Sequence, residues 1–116
     1  VSQIKILHNP RCSKSRQTLS LLEEQGIQPQ VVEYLKDTPS AEELKSILAS
    51  LNAKPMDIVR KKEDIFKELN LKAFTGSDDE LIEIMLENPK LIERPIVVNG
   101  NRAAIGRPPE AVLDII

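Results

Sequence analysis

The apolar pattern of this 116-residue chain predicts an α/β (α+β) fold, one mixed four-stranded sheet with helices packed on it. Two strand-like runs flank a helix-like run near the start, a β-α-β unit whose strands should run parallel. A block of capped, amphipathic helical patterns follows. The pattern then returns to two short strands around an Asn-Gly turn and ends in a helix. The order is β-α-β, helices, β-β-α, read as a single domain over 1–116 with a helical insertion at about 40–88.

Each element has its own signal. Gln3-Ile4-Lys5-Ile6-Leu7 alternates polar and apolar side chains and ends apolar, the period of a strand. Ser15 to Gln25 reads as a helix, with Leu19, Leu22 and Ile27 on one face and Gly26 as the stop. Gln30 to Leu35 is the second strand. Ser40 with Glu43 fits a capping box, followed by Leu44, Ile47, Leu48 and Leu51 at the spacing of one buried face. Pro55 opens a short helix through Arg60, and Asp64 to Leu69 forms another. Ser77 with Glu80 repeats the box ahead of Leu81, Ile84 and Met85, and Asn88-Pro89 stops the run. Ile96-Val97-Val98 and Arg102-Ala103-Ala104-Ile105 flank Asn99-Gly100-Asn101, where Asn-Gly predicts a type I′ hairpin turn. After Gly106-Arg107-Pro108-Pro109, Glu110 to Ile116 predicts a closing helix burying Val112, Leu113 and Ile116.

Composition excludes several function classes. Lys and Arg number 16 against 18 Asp and Glu, a net charge of -2, without the basic surplus on which nucleic-acid and anionic-membrane binding rest. No apolar run approaches the roughly 20 residues that span a bilayer. The start, Val1 to Leu7, shows no basic leader followed by a long apolar stretch, so no secretory signal is expected. Two Phe, one Tyr and no Trp leave an aliphatic core and too few rings for a base-stacking platform. A single cysteine, Cys12, forms no intramolecular disulfide, and a reducing, cytoplasmic setting follows.

Cys12 has two readings. A lone cysteine is commonly a small buried hydrophobe. Here, however, Asn9, Pro10, Arg11, Ser13, Lys14, Ser15 and Arg16 surround it, a poor setting for a core residue. It lies between a strand and a helix start, where free N–H groups and the macrodipole favour negative charge. A thiol near 8.5 is about 3% ionised at neutral pH, against roughly three-quarters for one near 6.5. Arg11, Lys14 and Arg16 place cations where that dipole disfavours them, and Arg107 does the same before the last helix. A bound anion would compensate; simple solvation is the alternative. Pro95 precedes an apolar strand and follows Arg94, a place where a cis bond is allowed. Arg60, read alone, ends a short helix and favours its dipole. His8, read alone, is a hydrogen-bonded structural residue close to Cys12.

Three segments resemble one family. His8-Asn9-Pro10-Arg11-Cys12-Ser13-Lys14-Ser15-Arg16 resembles the active-site segment of the glutaredoxin-coupled arsenate reductases. Glu93-Arg94-Pro95-Ile96-Val97-Val98 and Gly106-Arg107-Pro108 resemble its later motifs at about the expected distances. The resemblance covers essentially the whole chain and implies a thioredoxin-like fold with a helical insertion. It implies Cys12 as nucleophile and Arg60, Arg94 and Arg107 as three oxyanion-binding arginines. It also implies His8 and Ser15 as supports of the thiolate and Pro95 as the cis-proline of the fold. Ser13 and Lys14 depart from the best-known members, in a segment that bears on glutathione or glutaredoxin docking.

The implied activity is reduction of arsenate to arsenite, an arsenic-resistance chemistry, through a Cys12–S–As adduct. Arginines would hold the tetrahedral anion by charge-assisted hydrogen bonds and favour the thiolate. With no second cysteine, glutathione as co-substrate must attack the adduct and glutaredoxin must clear the mixed disulfide. No bound cofactor and no metal are implied, since one Cys and one His make no typical zinc site. A monomer is the expected state, with arsenate or a similar oxyanion, glutathione and glutaredoxin as partners. Two alternatives stand beside this: a related thiol protein acting on another oxyanion or a glutathionylated target, and an Spx-type regulator that binds RNA polymerase. Regulators of that type with a redox switch use Cys-x-x-Cys, and here the second position is Ser15.

Overall fold

The computed structural model describes residues 4–116, so the expected first strand residue, Gln3, lies outside the described residues, as do Val1 and Ser2 of the expected leaderless start. The described residues form two compact units: residues 4–37 with 94–116, and residues 38–93.

The first unit holds the sheet. Its strands are β1 (Ile4–Leu7), β2 (Gln30–Val32), β3 (Ile96–Asn99) and β4 (Arg102–Ile105), in the order β2-β1-β3-β4. β1 and β2 are parallel, with Lys5 opposite Gln30, as a β-α-β unit requires. β1 pairs antiparallel with β3, with Ile6 opposite Val97, and β3 pairs antiparallel with β4. Helix α1 (Ser13–Glu24) connects β1 to β2. Ile6, Leu22, Val97, Val112 and Ile115 form the buried core, with Leu19, Leu21, Ile27 and Ala104 packed against it. Each fully buried aliphatic side chain contributes about 1.5–3 kcal/mol.

Helix α1 begins two residues earlier than the sequence suggests, because Cys12 itself is the N-cap. Its end is a Schellman closure. Gly26 takes φ +78°, its N–H reaches the Glu23 carbonyl, and the Ile27 N–H reaches back to Leu22. β2 stops at Val32 rather than Leu35. The chain turns there, with the Lys36 and Asp37 N–H groups both on the Glu33 carbonyl. That turn carries Tyr34 fully inside.

Two differences near the C-terminus have clear causes. The hairpin loop is Gly100–Asn101, with Asn99 paired to Arg102. Gly100 has φ +63° and Asn101 is not in the left-handed region, the pattern of a type II′ turn with glycine first rather than the expected type I′. The closing segment Pro109–Ile115 is a 3₁₀ helix, not an α-helix. With three residues per turn, Pro109, Val112 and Ile115 share the buried face, and Leu113 and Ile116 are exposed.

The second unit is helical: α2 (Ala41–Leu51), α3 (Asp64–Glu68) and α4 (Asp78–Glu87), with 3₁₀ turns between them. Ser40 Oγ accepts the Glu43 N–H at 3.1 Å, and at Ser77 the capping box closes in both directions. Leu44, Ile47 and Leu48 of α2 are buried, as are Leu81, Ile82 and Met85 of α4. Ile82 takes the place expected of Ile84, which falls at the edge of that stripe. Helix α3 ends at Glu68, one residue short of the expected Leu69. The helix expected over 55–60 is a 3₁₀ turn, Pro55–Ile58, and Val59 leaves it extended to bridge Ile92. Arg60 therefore ends no helix.

Gly100→Ala should lower stability by about 1 kcal/mol in denaturant unfolding, because a side chain at that positive φ is strained. Asn101→Ala, outside the left-handed region, should change it by less than about 0.5 kcal/mol.

Candidate active site

Cys12 caps α1 with an extended backbone (φ −92°, ψ 124°). Its carbonyl accepts the Arg16 N–H at 3.0 Å, and its own N–H donates to the Asn9 carbonyl at 3.0 Å. The sulfur thus sits where the first-turn N–H groups of a twelve-residue helix have no intrahelical acceptors. Partial burial pushes the thiol up. The Ser15 N–H, the Arg94 side chain and the Lys14 N–H outweigh that effect, and the thiol lies below its ordinary value. The backbone groups close no formal cap hydrogen bond to sulfur; they act as dipoles that favour the thiolate.

Of the three arginines the resemblance singles out, the two in this unit flank the β3–β4 hairpin. Arg94 lies two residues before Ile96 and Arg107 two residues after Ile105, and Ile96 faces Ile105 in the register. Continuing that register puts the arginines opposite each other. Arg107 Nε donates to the Arg94 carbonyl at 2.9 Å, and its Nη2 lies 3.5 Å from Cys12 Sγ. The Arg94 guanidinium hydrogen-bonds to the same sulfur, and Tyr34 accepts a further bond from it. The Arg94–Pro95 and Arg107–Pro108 peptide bonds are both cis, and Pro95 is buried.

The residues flanking Cys12 form a buried polar cluster. Ser15 Oγ and His8 Nδ1 are 2.6 Å apart, and the Asn9 N–H donates to Ser15 Oγ at 3.0 Å. Asn9 Oδ1 in turn accepts the Arg11 N–H, closing an Asx turn around Pro10. Burial lowers the His8 pKa, Glu33 opposes that shift and Arg16 adds to it. His8 is therefore mostly neutral at neutral pH, and its link to Ser15 is a hydrogen bond, not a charge pairing. Of the basic cluster, Arg16 braces the loop through the Pro10 carbonyl at 2.9 Å, and Arg11 and Lys14 are exposed.

Arg60 belongs to the helical unit. Its guanidinium pairs with Glu63 (3.4 Å) and Glu93 (3.1 Å). Among the described residues, no group of three or more His, Cys, Asp or Glu side chains is placed to hold a metal ion.

Three contributors escaped the sequence reading. Asn9 had a signal, since Asn before Pro favours an Asx turn. Tyr34 had none, because its partner is sixty positions away. Gly106 is required by close packing: a Cβ there would collide with Thr18 Oγ1 and lie 2.7 Å from Pro95 Cγ.

The ArsC family profile matches residues 7–115. The chain belongs to the ArsC family. It is 49% identical to an arsenate reductase of Haemophilus influenzae, over 96% of this chain and 97% of that protein. An arsenate reductase of Escherichia coli is 41% identical, over all of this chain and 82% of its own length. The solved arsenate reductase structure from Vibrio cholerae superposes with a TM-score of 0.95 at 53% identity, covering 100% of this chain and 99% of that one. The mixed sheet with its helices is accordingly the thioredoxin-like fold of ArsC proteins.

Two outcomes follow. Unfolded His8 takes up its proton near 6.5 and folded His8 only at lower pH. The stability it brings is complete above that value and is lost as pH falls from there through the folded pKa. Denaturant midpoints should drop across this window, and drop less in His8→Gln. Gly106→Ala should cost about 1–3 kcal/mol by overpacking, and Thr18→Ala in the same chain should recover part of that loss in thermal melts.

Proposed function

We propose that this ArsC-family protein is an arsenate reductase that uses Cys12 as nucleophile and glutathione with glutaredoxin as electron donor. The observation that carries the reading is a single thiol, favoured as thiolate at a helix N-terminus, with Arg94 and Arg107 both at its sulfur. Such a thiolate meets an anionic substrate only where cations neutralise the repulsion, and paired guanidiniums match a tetrahedral oxyanion. The named relatives, arsenate reductases at 40–49% identity, support arsenate as that anion.

The thiolate attacks As(V). An S–As bond forms and an As–O bond breaks, the oxygen leaving as water with protons from solvent. A glutathione thiolate then attacks the Cys12 sulfur. The S–S bond forms, the S–As electron pair stays on arsenic, and arsenite leaves. Arsenic gains two electrons and the two thiols lose them. Glutaredoxin removes the glutathionyl group and restores Cys12. An external thiol is needed because the chain has one cysteine. Arg94 and Arg107 stabilise charge on the oxyanion as it develops, and the family resemblance adds Arg60 to the same task. The protein works as a monomer in a reducing, cytoplasmic setting, where a lone thiol stays reduced.

The test is arsenate-dependent NADPH oxidation in the presence of glutathione, glutaredoxin and glutathione reductase. Cys12→Ser should reduce the rate to background. Arg107→Ala should lower kcat/KM roughly ten- to a hundredfold, the loss of one charge-assisted contact of about 1.5–3 kcal/mol. Turnover that survives in Cys12→Ser sinks the reading.

A further inference from the structure

Tyr34 is the one Phe, Tyr or Trp of the sheet unit, since Phe66 and Phe74 both belong to the helical unit. It is 0% exposed, in a unit whose other buried apolar side chains are aliphatic. A buried phenol costs stability unless its hydroxyl is bonded, so the oxygen calls for a partner. That partner is the Arg94 guanidinium, which donates to the Tyr34 hydroxyl and also hydrogen-bonds to Cys12 Sγ.

The backbones at both ends of this relay are tied down. The His8 N–H donates to the Val32 carbonyl at 2.8 Å, one step past the Leu7–Val32 pair. The Lys36 and Asp37 N–H groups then close the turn on the Glu33 carbonyl at 2.9 Å, with Tyr34 inside it. On the other side, the Gly106 N–H donates to the Pro95 carbonyl and Arg107 Nε to the Arg94 carbonyl, each at 2.9 Å. These contacts fix the Arg94 backbone but not its guanidinium. That group ends a long side chain with many rotamers, and Arg94 is only partly buried, so solvent competes for it.

Building on the reductase reading, we propose that Tyr34 is a positioning residue: its buried hydroxyl selects the Arg94 rotamer that keeps the guanidinium on Cys12 Sγ. Tyr34 acts through Arg94. A cation favours a thiolate strongly only from close range. A guanidinium already aimed at the sulfur also needs no ordering when an oxyanion arrives. Phenylalanine at this position would keep the packing and lose the aim.

The experiment measures the pH dependence of Cys12 alkylation by iodoacetamide, read by mass spectrometry, because removing the one tyrosine alters the ultraviolet baseline. Tyr34→Phe should raise the midpoint, in the direction of Arg94→Gln and by less. In the Arg94→Gln background, Tyr34→Phe should leave the midpoint where Arg94→Gln sets it. In the NADPH-coupled assay, Tyr34→Phe should lower kcat/KM about three- to tenfold, the loss of one hydrogen bond. Arg94→Lys gives a second reading that does not depend on how well Tyr34→Phe folds. Lysine keeps the charge without the planar fork that serves both partners, so its midpoint should also rise. A Tyr34→Phe midpoint equal to the parent's, or a rise that persists undiminished beside Arg94→Gln, overturns the inference. So does an Arg94→Lys midpoint equal to the parent's, for charge without position would then suffice. A parent protein that does not turn over arsenate, while Tyr34→Phe still raises the midpoint, overturns the reductase reading alone.

Discussion

A thiolate at the N-terminus of α1 is the constraint on which the site depends. The sequence can place a thiol there only if the chain leaves β1, turns within five residues and enters the helix at Ser13. Asn9 makes that turn possible. Its carbonyl takes the Cys12 N–H, its side chain takes the Arg11 N–H, and its own N–H goes to Ser15. The backbone groups that would be orphaned in a buried loop are thereby satisfied. The first-turn N–H groups of Lys14 and Ser15 are left for the sulfur. Burial raises the thiol; the Ser15 N–H, the Arg94 side chain and the Lys14 N–H together lower it by more.

The cations reach the sulfur through strand register. The Gly100–Asn101 loop fixes which residues of β3 and β4 face each other, and that choice carries through to Arg94 and Arg107. Were the loop Asn99–Gly100, as the Asn-Gly signal alone implies, the pairing would shift and the two arginines would no longer be opposite. Glycine's tolerance of a positive φ at the first loop position thus helps set the chemistry far along the hairpin. Gly106 contributes at the other end, where its missing side chain lets the strand end pack on Thr18 and Pro95.

Local signals made most of the framework legible. Helix caps at Ser40 and Ser77, the stop at Gly26 and the strand at Arg102–Ile105 are all short-range features, and the structure has each where the sequence places it. Features that depend on tertiary contacts were not legible. The closing helix is 3₁₀ because its apolar residues at 109, 112 and 115 repeat every three positions; an α-helical reading selects a different face. Cys12, His8, Ser15, Arg94 and Arg107 were singled out by type and motif, and the structure gathers them in one unit. The roles of Tyr34, and of Glu63 and Glu93 on Arg60, come from pairs that only folding joins, the farther carboxylate being 33 positions from Arg60.

The most direct test of this account is the ionisation of Cys12 itself. Thiolate ultraviolet absorbance of the native protein, less that of Cys12→Ser, should titrate with a midpoint below the ordinary thiol value. Arg94→Gln should move that midpoint upward, since it removes both a hydrogen bond and a charge from the sulfur. A midpoint at or above the ordinary thiol value, or one indifferent to Arg94, would contradict the claim that the helix N-terminus and the hairpin arginines together hold a thiolate ready.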